Sequence, residues 1–182
     1  DFLLAYNKDL GEDMKITLSM GGNYRYSYEK GIGQWGTNLK INDFYAISNA
    51  GTYGTDESFS EKKVYSIYGL STFSYKNWLY FDFTLRNDWS STLPMENNSY
   101  FYHSVSLSFI ASKAFKLGEK VKWMNLIKIR GAYAGSATDT EPYMLDFNYN
   151  SGEFGGDQTS SFPGVIPPYR LMPQRVSTWE VG

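Results

Sequence analysis

The sequence predicts an all-β chain that forms a segment of an antiparallel transmembrane β-barrel, with about seven strands in the segment. Three observations predict this fold class. Apolar and polar residues alternate along extended stretches, short and long connections alternate between those stretches, and aromatic residues concentrate near strand ends. Aromatic side chains make up 18% of the 182 residues, although 20% of the residues are charged. Strands with lipid on one side and water on the other produce that combination.

The first observation is a two-residue period, in which successive side chains point to opposite faces of a strand. It is clearest from Met14 to Ser27, where apolar or aromatic residues occupy most even positions and polar residues the odd ones. The same alternation defines strands over Leu79–Arg86 and Ser104–Phe109. Weaker strands are predicted over Phe2–Asp9, Lys63–Tyr75, Leu126–Gly135 and Val176–Gly182. No run approaches the roughly 18 to 20 apolar residues of a membrane helix.

The second observation concerns the connections, of which every second one is long or exposed. In chain order they are Leu10–Asp13, about 29–62, Lys76–Asn77, Ser91–Ser99, Lys113–Met124 and about 136–175. Transmembrane barrels have short periplasmic turns and longer extracellular loops, so an up-and-down chain alternates them. Lys113–Met124 is longer than a turn where a turn is expected. We therefore expect long extracellular loops over about 29–62 and 136–175.

The third observation is the position of Tyr and Trp residues. Tyr75, Trp78 and Tyr80 surround one predicted turn, and Trp89 and Tyr100 lie at the opposite ends of the flanking strands. Such clusters are typical of the two aromatic girdles at the interfaces of a membrane barrel. An aromatic core inside a soluble sheet is the alternative explanation.

The residue types and their spacing give little support for a catalytic site, a metal site or a cofactor site. The chain has no Cys and a single His, His103, which excludes a thiolate site and argues against a His-based metal site or triad. Gly31–Gly36 matches the dinucleotide fingerprint in letters, but no helix is predicted after it to receive a pyrophosphate. The carboxylates of the 136–175 loop show neither acid–base nor calcium-loop spacing. We predict no enzyme activity, no cofactor and, with a net charge of −2, no nucleic-acid partner.

Lys63–Tyr80 is followed by Leu85–Ser91, which ends in an Arg-x-Asp-x-Ser-Ser sequence. These two segments resemble paired strands in the barrel of one family, the SusC/RagA-type TonB-dependent transporters of the Bacteroidetes. Ser99–Phe109 resembles its Tyr-x-Pro-Ser-Val-Ser strand, with His103 where Pro is usual. The resemblance covers about residues 60–182 well and 1–59 loosely.

Two further segments continue the resemblance in the expected order. Ile129–Ser136 and the following Pro142-Tyr143 resemble the family's Leu-Arg-x-Ser-Tyr strand and its Pro-Tyr. Leu171–Gly182 is similar to Leu-x-Pro-Glu-x-x-x-x-Trp-Glu-x-Gly, with Gln174 in the Glu position. Each motif is weak alone, but their order and spacing together are fairly specific.

The resemblance implies the organisation of a larger protein. It implies a barrel of about 22 strands, an N-terminal plug, a TonB-contacting segment, and a SusD/RagB-like surface lipoprotein that acts as a lid. We recognise neither the plug nor the TonB-contacting segment in this chain. Residues 1–182 are therefore expected to be an internal part of the TonB-dependent receptor barrel, in the outer membrane of a Gram-negative, Bacteroidetes-like bacterium.

Two groups of residues are candidates for function. The candidate lumen-lining residues are Asp82, Arg86, Asp88, Lys128 and Arg130, for which ion pairing between strands or to a plug is the simpler role than substrate contact. The candidate loop contacts to substrate or lid are Trp35, Tyr45, Tyr143, Phe147, Tyr149 and Phe154. Aromatic rings can stack on sugars or peptides, or pack against each other.

The sequence thus predicts a component of an importer that carries an oligosaccharide or oligopeptide across the outer membrane without chemical conversion. TonB would act through the region outside this chain, and the lipid bilayer would surround the barrel. The alternatives are a passive porin or adhesin barrel and a soluble all-β carbohydrate-binding module.

Overall fold

The computed structural model describes residues 1–117 and 126–182, and strands dominate it. The strands are β1 (Phe2–Leu10), β2 (Met14–Leu39), β3 (Ala50–Tyr75), β4 (Leu79–Ser90), β5 (Ser99–Ile110), β6 (Lys128–Thr138), β7 (Asn150–Phe154), β8 (Asp157–Ser161) and β9 (Gln174–Val181). Two short helical pieces lie in connections, a 3-10 turn at Ile47–Asn49 and α1 at Ala111–Ala114. No helix in the described parts of the chain is long and apolar enough to cross a membrane.

Seven strands form one antiparallel sheet in the order β1-β2-β3-β4-β5-β6-β9. Each strand up to β6 pairs with the next one along the chain, so the sheet is an up-and-down meander. The predicted all-β class and the seven antiparallel strands are confirmed. β1 and β9 form the two edges of this sheet, and closure into a barrel of about 22 strands stays a prediction.

The register places side chains of one kind on one face. Leu107 of β5 pairs with Phe81 of β4 and with Gly131 of β6, whereas the next residue back, Ser106, pairs with Asp82 and Ala132. Directly opposite residues on neighbouring strands lie on the same face of the sheet. The apolar positions of each strand therefore lie beside the apolar positions of the next one. One face of the sheet is apolar and the other is polar.

The hairpin formed by β2 and β3 corrects the loop predicted over about 29–62. Both strands have 26 residues, and their pairing continues without a break from Tyr75 with Met14 to Thr52 with Thr37. The connection shrinks to residues 40–49. Most of the predicted loop is therefore a two-stranded ribbon. Its many polar residues and glycines leave no apolar period from which the strands could be predicted.

The predicted loop over about 136–175 also contains regular structure. β6 continues to Thr138, β9 begins at Gln174, and the connection between them holds the β7–β8 hairpin. Gly155 and Gly156 adopt φ values of 65° and 92° between these two short strands. Two glycines with positive φ form the tight turn that a two-residue hairpin loop requires. The remainder of the connection is irregular.

Short turns lie at the opposite end of the sheet from the long connections. Gly11 (φ 80°) lies between β1 and β2, and Lys76 and Asn77 (φ 47° and 55°) lie between β3 and β4. The third connection at this end begins with α1, and its part from 118 to 125 lies outside the described residues. The two short turns at this end agree with the sequence pattern, and the third connection is the exception that the sequence also showed.

Candidate functional site

The apolar face of the sheet carries a row of aromatic rings near the end with the long connections. Tyr24 and Tyr65 are stacked with ring centroids 4.9 Å apart, and Tyr65 pairs with Trp89 on β4. The row continues from His103 to Tyr133 (5.6 Å) and from Tyr133 to the ring of Trp179 (4.5 Å). We call the rings of Tyr24, Tyr65, Trp89, Phe101, His103, Tyr133 and Trp179 the upper girdle. His103, the single histidine, belongs to this aromatic surface.

A second row of rings, the lower girdle, lies near the short turns. Trp78 packs edge-on against Tyr75 at 5.1 Å and against Phe109 at 5.5 Å. Phe109 in turn contacts Phe115 at 6.0 Å. The side chains between the two girdles are apolar and exposed on this face, among them Leu18, Met20, Ile67, Phe81, Leu85 and Leu107. The apolar face is therefore a continuous band with an aromatic border on each side.

The polar face is held together by Arg86 and Asp88 of β4. The Arg86 Nε donates a hydrogen bond to Asp88 Oδ1 at 2.8 Å, and its Nη2 donates to the Ser66 hydroxyl at 3.1 Å. The Tyr102 hydroxyl donates to the other Asp88 oxygen at 2.9 Å. The guanidinium also lies over the ring of Tyr68, 5.7 Å from its centroid. These contacts join β3, β4 and β5, and the Asp88 side chain is only 7% exposed.

Nearer the short turns, a second polar group surrounds Asp82. Its two carboxylate oxygens accept hydrogen bonds from Thr72 at 2.8 Å and from Ser106 at 3.0 Å. Arg130 Nη2 and Glu180 form an ion pair at 2.5 Å between β6 and β9. A cavity of about 250 Å³ is lined by Asp82, Ser106, Arg130 and Glu180 together with Ser108 and Lys128.

All five candidate lumen residues therefore share the polar face. Arg86 and Asp88 form one cross-strand cluster, and Asp82, Lys128 and Arg130 border one cavity. Most of them contact side chains of neighbouring strands. This agrees with ion pairing between strands, the simpler of the two roles considered from the sequence. That this face lines a lumen stays a prediction.

Sequence reasoning gave no role to Asp139, which fastens the long connection to the rest of the chain. Lys62 Nζ donates to its Oδ1 at 2.7 Å, the Ser90 hydroxyl donates to Oδ2, and Thr92 Oγ1 lies 3.4 Å from Oδ2. The Asp139 side chain is 9% exposed and that of Lys62 is 28% exposed. We call these four residues the Asp139 latch. Three separate segments meet there, so nothing in the linear sequence marks it.

The six candidate loop aromatics do not form one site. Trp35 is not in a loop but on β2, where its indole covers its cross-strand partner Gly54. Tyr45 lies in the short connection and is 84% exposed. Tyr143 meets Phe59 of β3 edge-on at 6.0 Å, and Phe154 at the β7–β8 turn is 82% exposed.

The remaining two loop aromatics, Phe147 and Tyr149, pack on each other at 5.4 Å. Phe162, which the sequence did not single out, completes this cluster at 6.3 Å from Phe147 and 5.5 Å from Tyr149. All three rings keep large exposed fractions, between 44% and 74%. The cluster therefore presents aromatic surface on the long connection instead of burying it.

The outer part of the β2–β3 hairpin carries ion pairs between neighbouring residues. Lys30 pairs with Glu57 at 3.2 Å, and Lys63 pairs with Glu61 at 3.0 Å. The hydrogen bond from Lys63 to Glu61, together with the charge of Glu61, raises the pKa of Lys63. No group of three or more side chains suited to hold a metal ion occurs in residues 1–117 and 126–182.

The chain was compared with known proteins by sequence and by structure. No protein-family model matches it, and no curated protein sequence matches it. A solved structure of the RagAB peptide transporter matches with a TM-score of 0.77 and 18% identity, over 98% of this chain and 20% of that chain. The RagAB peptide importer in the "closed-closed" state gives 0.75 and 17% over 98% and 20%. In the "open-open" state it gives 0.75 and 18% over 99% and 20%.

The TM-scores of 0.75 to 0.77 establish the fold. Because the identity is only 17–18%, these likenesses show the fold alone. The chain spans about one fifth of the length of the structures that it matches. The resemblance to the SusC/RagA barrel that the sequence motifs indicated is confirmed at the level of fold.

Proposed function

We propose that this chain is a segment of the barrel wall of an outer-membrane importer, which admits a bulky nutrient without converting it chemically. The observation that carries the proposal is the two-faced sheet. One face is an apolar band bordered by two aromatic girdles, and the other holds ion pairs and hydroxyl groups. Lipid on one side and a water-filled lumen on the other would account for both faces.

The spacing of the girdles supports a membrane position. Tyr65 and Tyr75 lie at the two borders of the band on the same strand. Ten residues of strand span about 33 Å, and a tilt of about 40° reduces this to a height of about 25 Å, which is the height of the apolar band of outer-membrane barrels.

Asp82, Arg86, Asp88, Lys128 and Arg130 would then line the lumen. The contacts of Arg86 and Asp88 brace the wall, because Arg86 donates to Ser66 of β3 and Asp88 accepts from Tyr102 of β5. Around the Asp82 cavity, Lys128 and Arg130 add positive charge. The lumen wall would present balanced charge and many hydroxyl groups, which suits a polar solute or a polar plug.

The long connection would be the extracellular surface that meets cargo and a lid. Its exposed aromatic cluster, Phe147, Tyr149 and Phe162, is the kind of surface that binding sites use. The partners in this proposal are a SusD/RagB-like lipoprotein, TonB acting through the region outside this chain, and an oligopeptide or oligosaccharide as cargo. The RagAB structures that the chain resembles are those of a peptide transporter, so we favour oligopeptides.

The test uses the full-length protein, in which residues 140–172 are replaced by a short Gly-containing turn. We expect normal insertion into the outer membrane, because no strand of the seven-stranded sheet is touched. Uptake of a fluorescent oligopeptide and co-purification of the lipoprotein should fall sharply. Unchanged uptake together with unchanged co-purification would contradict the proposed role of this connection.

A matched variant keeps the length of the connection and replaces Phe147, Tyr149 and Phe162 with Ser. Loss of uptake in this variant as well would assign the effect to the aromatic cluster and not to loop length. Uptake should also stop when the proton gradient is collapsed. Uptake that continues under that condition would favour the passive porin.

A further inference from the structure

The outer part of strand β3 has an unpaired edge. The pairing of β3 with β4 ends where Val64 meets Ser90. Ser91 closes that ladder, because its N–H donates to the Lys63 carbonyl at 2.9 Å and its hydroxyl accepts from the Lys63 N–H at 3.0 Å. From Ala50 to Lys62, β3 pairs with β2 alone among the strands that the structure describes.

The geometry of a strand identifies the free groups on this edge. In an antiparallel ladder the N–H and C=O of alternate residues point to the same side. Lys63 points toward the β4 side, so Tyr53, Thr55, Glu57, Phe59 and Glu61 point there too. In residues 1–117 and 126–182, these five have no backbone hydrogen bond beyond the β2–β3 ladder. The edge therefore offers donors and acceptors repeated about every 6.8 Å.

A cavity of about 460 Å³ lies beside this edge. It is lined by Glu57, Ser58, Phe59, Tyr143, Asp146 and Asn148. The rings of Phe59 and Tyr143 meet edge-on there, and Phe59 is 67% exposed. Two carboxylates next to two aromatic rings suit the side chain of Lys or Arg, because both groups attract a cation.

We propose that the free edge of β3, from Tyr53 to Glu61, binds an extended peptide as an added strand, with a basic side chain of the peptide in the adjacent cavity. The inference rests on the proposed function, since it names the peptide class among the cargoes considered there. An oligosaccharide lacks the alternating N–H and C=O groups that match a strand edge, whereas every peptide carries them. Asp146 disfavours an acidic side chain in the cavity by like-charge repulsion, whereas Glu57 and Glu61 already pair with Lys30 and Lys63.

The experiment measures binding of a fluorescent peptide, Thr-Val-Lys-Val-Thr, to the purified full-length protein in detergent. Two further probes carry N-methyl groups on alternate residues, one set on the odd and one on the even positions. For a given direction of the added strand, only one set of N–H groups can face the edge while the lysine enters the cavity. One methylated probe should therefore bind about tenfold more weakly, from a few lost hydrogen bonds, and the other should bind like the unmodified peptide. Equal loss with both probes, or no binding of the unmodified probe, would overturn the inference.

A pair of variants tests the edge from the protein side. Thr55→Pro removes one edge N–H at a position where strand edges accept proline, and Thr55→Val retains it. We expect weaker binding for Thr55→Pro alone, with heat-modifiable migration confirming that both variants are folded. If Thr55→Pro does not fold, the two methylated probes still decide the question on the wild-type protein. Equal affinity of two folded variants would overturn the inference.

A second measurement separates this inference from the proposed function. Peptide uptake by cells together with register-independent binding would overturn strand addition and leave the importer standing. Register-specific binding without any uptake of peptide would support strand addition and contradict the importer.

Discussion

The band between the two girdles and the outer part of the β2–β3 hairpin share strands but follow different rules. Within the band, β3 lies between β2 and β4, and its side chains alternate between an apolar face and a polar one. In the outer hairpin both faces are largely polar and exposed, with Asp56, Glu57 and Ser58 in succession. A two-residue hydrophobic period therefore appears where the two faces of a strand have different surroundings. It disappears where both faces are exposed to water.

The two regions also differ in what holds them. Each inner strand of the band has a neighbour on both sides, and contacts such as those of Arg86 tie three strands together. The outer hairpin depends on its own ladder and on the Asp139 latch. We therefore expect mutations in the band to affect insertion and stability, and mutations in the hairpin and latch to affect loop order and binding.

The largest effect is expected when the band is deprived of its neighbours. Residues 1–182 expressed alone leave the edges of β1 and β9 unpaired and an apolar face without lipid, so the segment should aggregate or stay unfolded in detergent. Size-exclusion chromatography and circular dichroism measure this. A monodisperse, water-soluble and β-rich product would break the comparison and favour the soluble carbohydrate-binding module.

A smaller effect separates the two faces within the band. Leu107→Arg in the full-length protein should cost about 2–4 kcal/mol, because under the proposed membrane position it places a charge on the apolar face near the bilayer midplane. Ser106→Arg is the matched control, and it should be tolerated because the new cation lies on the polar face beside Asp82. Equal losses of heat-modifiable folding in the two variants would show that the faces are wrongly assigned.

An effect confined to the outer region is expected from the Asp139 latch. Asp139→Asn removes the negative charge that pairs with Lys62. It also leaves one acceptor oxygen in place of the two that serve Lys62, Ser90 and Thr92. Loss of such partly buried contacts costs about 1–3 kcal/mol. Hydrogen exchange of residues 140–172 should accelerate, while folding of the band stays unchanged. The control is Glu141→Gln, on an exposed neighbour, and the same acceleration in the control would show that the latch does not order the connection.

The smallest effect is expected at the turn between β3 and β4. Lys76 pairs with Asp13 at 3.1 Å, and both side chains are about half exposed. The hydrogen bond to Asp13 and its charge raise the pKa of Lys76. A raised pKa adds stability that is present below the unfolded pKa and is lost only as pH rises through the higher folded value. Lys76→Ala should therefore lose the same small stability at every pH from roughly 6 to 9, and a pH-dependent difference in that range would contradict the assignment.

Several parts of this structure follow from the sequence alone. Alternation along Met14–Ser27, Leu79–Arg86 and Ser104–Phe109 identified strands and their faces, because a strand that separates two environments must alternate. The positions of Tyr75, Trp78 and Trp89 near strand ends indicated the girdles. Tyr80 and Tyr100 were wrongly assigned to them, because their register places both on the polar face. The alternation also placed all five candidate lumen residues on the polar face. An even or odd position along a strand is enough to determine the face on which a side chain lies.

Other parts depend on the tertiary structure. The length of the β2–β3 ribbon came from pairing between two polar strands, which leaves no apolar period to read. The Gly155-Gly156 turn did carry a signal for a hairpin, but the short strands beside it lack the β-branched pattern that would have supported it. The Asp139 latch joins residues 62, 90, 92 and 139. Contacts between positions so far apart arise only when the sheet brings three segments of the chain together, and no local sequence pattern predicts that contact.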